Sequence, residues 1–214
     1  MKKFEEKKFT IPELKGISKK TIEEHIKLYS GYVKNANLIF EKIGELIQMP
    51  GSAEKDAYAI SEMQRRFGFE FDGMRNHEVY FSSLEGGPKP LSAGGSESDS
   101  SSESGTGSTL KAAISAEGGT FEDWLVYFKM IAMTRGIGWA MLYYDRTSKR
   151  LLTTWVDEQH MGQLQDCALI LALDMWEHSY VADYQPSGKK HYVEDFFANV
   201  NWEVIEKNFL NAEQ

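Results

Sequence analysis

From position 18 onward apolar side chains recur at helical spacing: Ile22, Ile26, Tyr29, Val33, Ala36, Leu38, Ile39, Phe40, Ile43, Leu46 and Ile47. The pattern predicts one long amphipathic helix. Thr21 with Glu24 fits a capping box at its start, and Ser18 is the alternative cap. Met-Pro-Gly at 49–51 ends it, and a second helix is predicted from about residue 55, interrupted by Gly68 and Gly73, through Asn76 to Leu84. Two long helices with a short connection make an antiparallel hairpin. Beyond position 109 the pattern changes. Helices are predicted over 109–117 and 120–135, then strand-like runs at 139–144 and 151–155 joined by a turn at 145–149. Residues 167–173 are continuously apolar and end at Asp174, the pattern of a strand covered on both faces. One more helix is predicted over 192–209. The expected class is α+β: an N-terminal antiparallel helical hairpin plus a C-terminal α/β domain with a small antiparallel sheet.

Between the two parts lies SAGGSESDSSSESGTGS, residues 92–108, which contains nothing that can be buried and reads as a flexible linker. The expected domains are therefore 1–91 and 109–214, with no internal repeat relating them. Of the 214 residues 42% are hydrophobic, enough for a real core, so wholesale disorder is excluded. A formal net charge of −8 argues against a nucleic-acid partner, whose phosphates need a basic face. A local basic funnel for a small anion stays compatible with it, because steering depends on the field at one cleft. The single cysteine, Cys167, sits in an apolar run, which excludes a disulfide framework and reads as a small buried hydrophobe in a reducing compartment. Neither a secretory signal nor a bilayer-spanning stretch is evident, so a cytoplasmic protein without a membrane partner is expected.

Candidate chemistry centres on the five histidines, His25, His77, His160, His178 and His191. Asp174 closes the apolar run and His178 follows four residues later, so a turn at Trp176 lets both ligating atoms face one point. His25 and His77 each sit mid-helix in the hairpin, and two helices can bring one histidine each to a shared face. Three imidazoles and a carboxylate suit manganese or iron better than structural zinc, which more often recruits cysteine. On these residues alone, histidines satisfied in the core or at the surface are an equally direct reading.

Several segments together resemble the iron/manganese superoxide dismutase family. ISKKTIEEHIKLYSGYVKNAN, residues 17–37, is similar to that family's first helix, and GMRNHEVYFSSL, residues 73–84, to its second. GIGW at 136–139 resembles its Gly-x-Gly-Trp turn. DMWEHSY at 174–180 closely matches its most specific signature, Asp-x-Trp-Glu-His-Ala-Tyr, with Ser179 for the alanine. VEDFFANVNW at 193–202 resembles the closing helix. The similarity runs in the right order over nearly the whole chain outside the linker. It implies that family's fold and one iron or manganese ion per subunit, held by His25, His77, Asp174 and His178 with solvent as a fifth ligand. The implied reaction disproportionates superoxide to O2 and H2O2 by M(III)/M(II) cycling, with Asp174 accepting a hydrogen bond from the solvent.

The surroundings depart from the family pattern. Some members place a glutamine four residues before the second ligand, where this chain has Gly73. The resemblance then implies a donor from VDEQHMG, residues 156–162, with His160 the first choice and Gln159 the alternative. Tyr32 corresponds to the family's active-site tyrosine with one residue fewer after His25, implying a relay and gateway role if a local bulge is absent. Tyr29 and Val181 stand where the family carries an interface histidine and tyrosine. Glu177, by resemblance, bonds the ligand equivalent to His178 in a second subunit, implying a homodimer or a dimer of dimers. Trp139 and Trp176 would line the pocket, and Lys34, Arg75, Lys189 and Lys190 are candidates for guiding an anion inward. Two competing readings are a non-catalytic or redox-shifted metal-binding member of the fold, and an interaction scaffold using the Ser-rich segment. Iron and manganese take the same ligands, so the choice between them stays open.

Overall fold

The computed structural model describes residues 2–91 and 109–214, and the predicted linker lies outside the described residues. The hairpin is built from α1 (Lys19–Ile47) and α3 (Ala57–Ser82), with the short α2 (Ser52–Lys55) between them. Ser18 caps α1: its backbone is extended and its side chain accepts the Thr21 N–H. The Thr21–Glu24 capping box does not form, because Thr21 already lies inside the first turn. Along α1 the buried positions Ile22, His25, Tyr29, Val33, Ala36 and Ile43 form one stripe that packs against α3.

The expected interruptions at Gly68 and Gly73 are absent, and α3 runs through both. A glycine inside a helix costs roughly 0.5–1 kcal/mol relative to alanine, which the packing of one long helix on the other offsets. Gly73 has a further reason. A Cβ there would stand 2.6 Å from Cδ1 of Tyr32, so the glycine is the space in which that ring lies.

The C-terminal part contains α4 (Leu110–Ala116), α5 (Phe121–Ala132) and three strands, β1 (Gly138–Asp145), β2 (Arg150–Asp157) and β3 (Cys167–Asp174). The sheet is antiparallel in the order β2-β1-β3. β1 is central and buried over Gly138–Tyr144. Its register sets Trp139 opposite Val156 on one side and Asp174 on the other, which fixes that tryptophan beside the end of β3. β3 is fully covered only from Ile170 onward; Cys167 is half-buried rather than buried, and burial pushes its thiol pKa up.

The helix predicted over 192–209 is two helices, α7 (Lys189–Asn199) and α8 (Trp202–Glu213), and the short α6 (Val181–Tyr184) precedes them. Val200 is extended between them. The flanking asparagines explain the break. Asn199 accepts the Lys15 N–H and donates to the Lys15 carbonyl, while Asn201 donates from its backbone to Ser83 and from its side chain to Glu85. Continuing the helix would leave those partners unbonded. The arm ahead of α1 is pinned in the same way: Phe4 N–H to Asn37, Lys7 N–H to the Tyr29 hydroxyl, and Ser18 N–H to Asp183. No helix among the described residues is long and apolar enough to cross a membrane.

Candidate metal centre

The two halves meet at four side chains. His25 projects from the second turn of α1 and His77 from the last third of α3. Asp174 ends β3, and His178 sits in the 3₁₀ turn Glu177–Ser179 that follows. Asp174 organises that turn itself: its Oδ1 accepts the Trp176 N–H at 2.8 Å, and its carbonyl accepts from Ser179 and from the Tyr192 hydroxyl. The turn brings His178 back over the carboxylate. One ligating atom from each of the four lies within 4.8 Å of the others.

The spacing fits a single ion. Nε2 of His25, His178 and His77 stand 3.0, 3.1 and 3.4 Å from the same oxygen, Asp174 Oδ2. Two ligands each about 2.1 Å from a metal are about 3.0 Å apart at a right angle and about 3.6 Å apart at 120°. The observed distances fall in that interval, so a shared centre explains why three imidazoles crowd one carboxylate oxygen. Protonation explains it less well, since His25, His77 and Asp174 are wholly buried and several cationic rings there would repel one another.

The donor set is also in the right chemical state. His77 Nδ1–H donates to the Gly73 carbonyl at 2.5 Å, which leaves the Nε2 lone pair free, and that buried nitrogen has no hydrogen-bond partner. Burial, then the neighbouring His25, pushes the His77 pKa down to about 3. Burial also lowers His25, against the pull of Asp174. For Asp174 burial acts upward, but the charge and hydrogen bonds of His178 and His25 outweigh it and hold the carboxyl well below its usual range. The neutral imidazoles of His25 and His77 and an ionised carboxylate are donors that a cation takes without displacing protons.

Around the four donors lies an aromatic wall. Trp139 and Tyr32 each centre 5.0 Å from the His77 ring, Phe81 and Tyr80 lie within 5.0 Å of His25, and Trp176 stacks on His178 at 5.8 Å. α1 is a regular helix throughout, so Tyr32, seven residues after His25, keeps the same face. Its hydroxyl accepts from Gln159 Nε2 at 2.9 Å, and Gln159 Oε1 accepts from Trp139 Nε1 at 2.9 Å.

Of the two neighbouring candidates, Gln159 is the one that bonds Tyr32 and Trp139. Gln159 is fully buried beside Tyr32, whereas the half-buried His160 packs its ring against Gly68 and Phe69, with its buried Nδ1 unpartnered. One residue of loop decides it: the tight turn closed by Asp157 and Met161 turns residue 159 inward. Glu177 is exposed and has no side-chain partner among the described residues. Tyr29 is fully buried, where its hydroxyl accepts the Lys7 N–H and donates to Glu78.

Of the four candidate guiding cations, Arg75 is tied to Glu78 and Lys189 to the Thr134 carbonyl, while Lys34 and Lys190 are exposed. Periodicity gave no reason to single out Arg66, yet its guanidinium lies 3.7 Å over the Phe69 ring and its charge acts on Tyr32. Asn76 was equally hidden; it binds the Gln159 carbonyl at 2.9 Å. Its place directly before His77 was the available signal.

A helical hairpin joined to a three-stranded sheet, with a His3Asp group where they meet, has the architecture of a metal-binding protein. Residues 106–208 match the family model for the C-terminal domain of iron/manganese superoxide dismutases. The chain is 31% identical over 189 residues to an iron superoxide dismutase of Tetrahymena pyriformis, covering 88% of this chain and 89% of the relative. It is 32% identical over 202 residues to an iron superoxide dismutase of Cupriavidus metallidurans, covering 93% and 91%. A manganese superoxide dismutase of Mycolicibacterium paratuberculosis is 31% identical over 191 residues, covering 88% and 82%. The chain belongs to the iron/manganese superoxide dismutase family.

Proposed function

We propose that this protein is a superoxide dismutase, converting two superoxide ions and two protons to O2 and H2O2 at one iron or manganese ion held by His25, His77, Asp174 and His178. The observation that carries the reading is the convergence of those four ligating atoms within 4.8 Å in a buried, aromatic-walled site. When bound, the ion supplies the M(III)/M(II) couple that accepts an electron from one superoxide and returns it to the next.

The chain's own part is to orient, exclude water and hold protons. His77 is fixed in one tautomer by the Gly73 carbonyl, and the ionised Asp174 balances part of the ion's charge. Burial, then the charges of Asp174 and Glu70, pushes the Tyr32 hydroxyl far above its ordinary value, so at neutral pH it is a proton holder and hydrogen-bond donor. Gln159 occupies one lone pair of that hydroxyl, which leaves its O–H free for a small anion on the His77 side. Trp139 holds the Gln159 amide from behind, and with Trp176 it keeps bulk water from the imidazoles.

The halves 1–91 and 109–214 each contribute two donors, so the segment 92–108 joins two parts of one site. The protein is assigned to the cytoplasm, a reading that its single cysteine supports. It works as a homodimer in which Glu177 bonds the His178 of a second copy; the exposed Glu177 beside a His178 side chain that is 22% exposed supports this. The deciding experiment is superoxide consumption by protein reconstituted separately with iron and with manganese, metal content quantified, and His77→Ala as control. Dismutation in one or both forms, lost with the metal in the variant, is expected. Full metal occupancy without dismutation would overturn the reading.

A further inference from the structure

Gln159 is held by more than Trp139. Its backbone carbonyl, at the tip of the tight turn between β2 and β3, accepts from Asn76 Nδ2 at 2.9 Å and from Gln163 Nε2 at 3.1 Å. Gln163 Nε2 also donates to Asn76 Oδ1 at 3.0 Å, which orients the asparagine amide so that its own donor faces Gln159. The remaining Gln163 atom, Oε1, accepts the hydroxyl of Tyr143, a residue buried in β1. Every donor and acceptor in the set has a complementary partner. Turning the Gln163 amide over would set its carbonyl against the carbonyl oxygens of Gln159 and Asn76, which selects the observed orientation, and the Tyr143 hydroxyl, also 2.8 Å from Met141 Sδ, adds a donor to Oε1 in that orientation.

These contacts form a line from the sheet to the centre: Tyr143 orients Gln163, Gln163 orients Asn76 and the Gln159 main chain, and the Gln159 amide bonds Tyr32. We infer that Gln163, oriented by Tyr143, is a positioning residue that sets where the Gln159 amide stands, and through it the redox tuning of the centre. The inference deepens the dismutase reading and rests on it for the identity of the reaction. Networks of this kind are cooperative, and one lost member leaves the others unpaired in a buried place.

The test uses metal-loaded protein and three variants. Gln163→Glu keeps the acceptor for Tyr143 but removes both donated hydrogen bonds. Tyr143→Phe keeps those donors and removes only the orienting hydroxyl. Gln159→Ala removes the amide itself. The measured quantities are the midpoint potential and visible spectrum of the bound ion, kcat and KM separately, metal content and melting temperature. Gln163→Glu is expected to shift the potential in the same direction as Gln159→Ala, and to lower kcat about tenfold with KM unchanged. Tyr143→Phe is expected to produce a smaller shift of the same sign. The inference is overturned if Gln163→Glu and Tyr143→Phe, fully metallated, have the potential, spectrum and kcat of the parent protein, whatever their melting temperatures. Should Gln163→Glu not fold, Tyr143→Phe decides alone by the same criterion. Because potential and spectrum are read without superoxide, absence of dismutation in the parent would defeat the functional reading while leaving the positioning role testable.

Discussion

Replacing Gly73 by alanine pits two opposite effects against each other, and the structure says which wins. Alanine in the middle of α3 gains roughly 0.5–1 kcal/mol of helix preference. The added methyl would lie 2.6 Å from Tyr32 Cδ1 and 2.8 Å from Cε1, whereas carbon atoms rest at about 3.5–4.0 Å. The ring must therefore retreat by about 1 Å. It is flanked by the His77 and Phe69 rings at 5.0 and 5.9 Å, so little room exists, and overpacking of this kind costs about 1–3 kcal/mol. A 1 Å retreat also stretches the 2.9 Å Gln159–Tyr32 hydrogen bond beyond useful length, a loss of about 1 kcal/mol. The expected net is a destabilisation of about 1–3.5 kcal/mol, or a fall in Tm of about 2–14 °C for a chain of this size. With Tyr32 displaced, kcat falls about 10–100-fold. The decisive assay is a double-mutant cycle of thermal unfolding on iron-loaded protein. In a Tyr32→Ala background the obstruction is gone, and Gly73→Ala should become stabilising by about 0.5–1 kcal/mol. An equal cost in both backgrounds would refute the assignment of that glycine to the tyrosine ring.

Three further outcomes follow from the site. Gln159→Ala should lower kcat about 10–100-fold while His160→Ala leaves it within about twofold, read by stopped-flow superoxide decay; comparable losses would return His160 to the site. In the metal-free protein the His77 pKa of about 3 lies below its ordinary 6.5, so between those values the unfolded chain binds a proton that the folded chain does not. Stability should then fall with decreasing pH by about 1.4 kcal/mol per unit from this group, and His77→Gln should flatten the denaturation-versus-pH slope by that amount. Half-buried Asp72 has the opposite sign: burial pushes it up to about 6 from 3.8, so it costs stability as pH rises through that window. Asp72→Asn should stabilise the protein by about 1 kcal/mol at pH 7.5, after solvent screening, and by nothing at pH 3.5.

Local pattern carried most of the fold. The helical stripe on α1 and the strand-like runs of β1 and β2 are local signals that any packed solution must respect, and Asp174 ended its strand as the apolar run indicated. What the pattern missed was decided at long range. Gly73 read as a break in α3 because propensity cannot see a ring from α1 needing the space. The break at Val200 was invisible because the partners of Asn199 and Asn201 lie at Lys15, Ser83 and Glu85. At the centre, the four candidate ligands were legible as a set through their motifs. The choice between neighbouring Gln159 and His160 was not, since it depends on which way a tight turn faces. Arg66 and Gln163 carry no motif, and only the packing of Phe69 and the reach of Tyr143 single them out.

The ligands' positions along the chain bear on how the protein is made. His25 and Asp174 touch, yet 149 residues of chain separate them. A nascent chain that has exposed α1 and α3 offers two imidazoles and no carboxylate, too few to retain an ion firmly. The site closes only once β3 and the turn after it have left the ribosome and paired with β1. An ion held by these four side chains therefore cannot nucleate the helical hairpin, because its last two ligands are made long after α1 and α3.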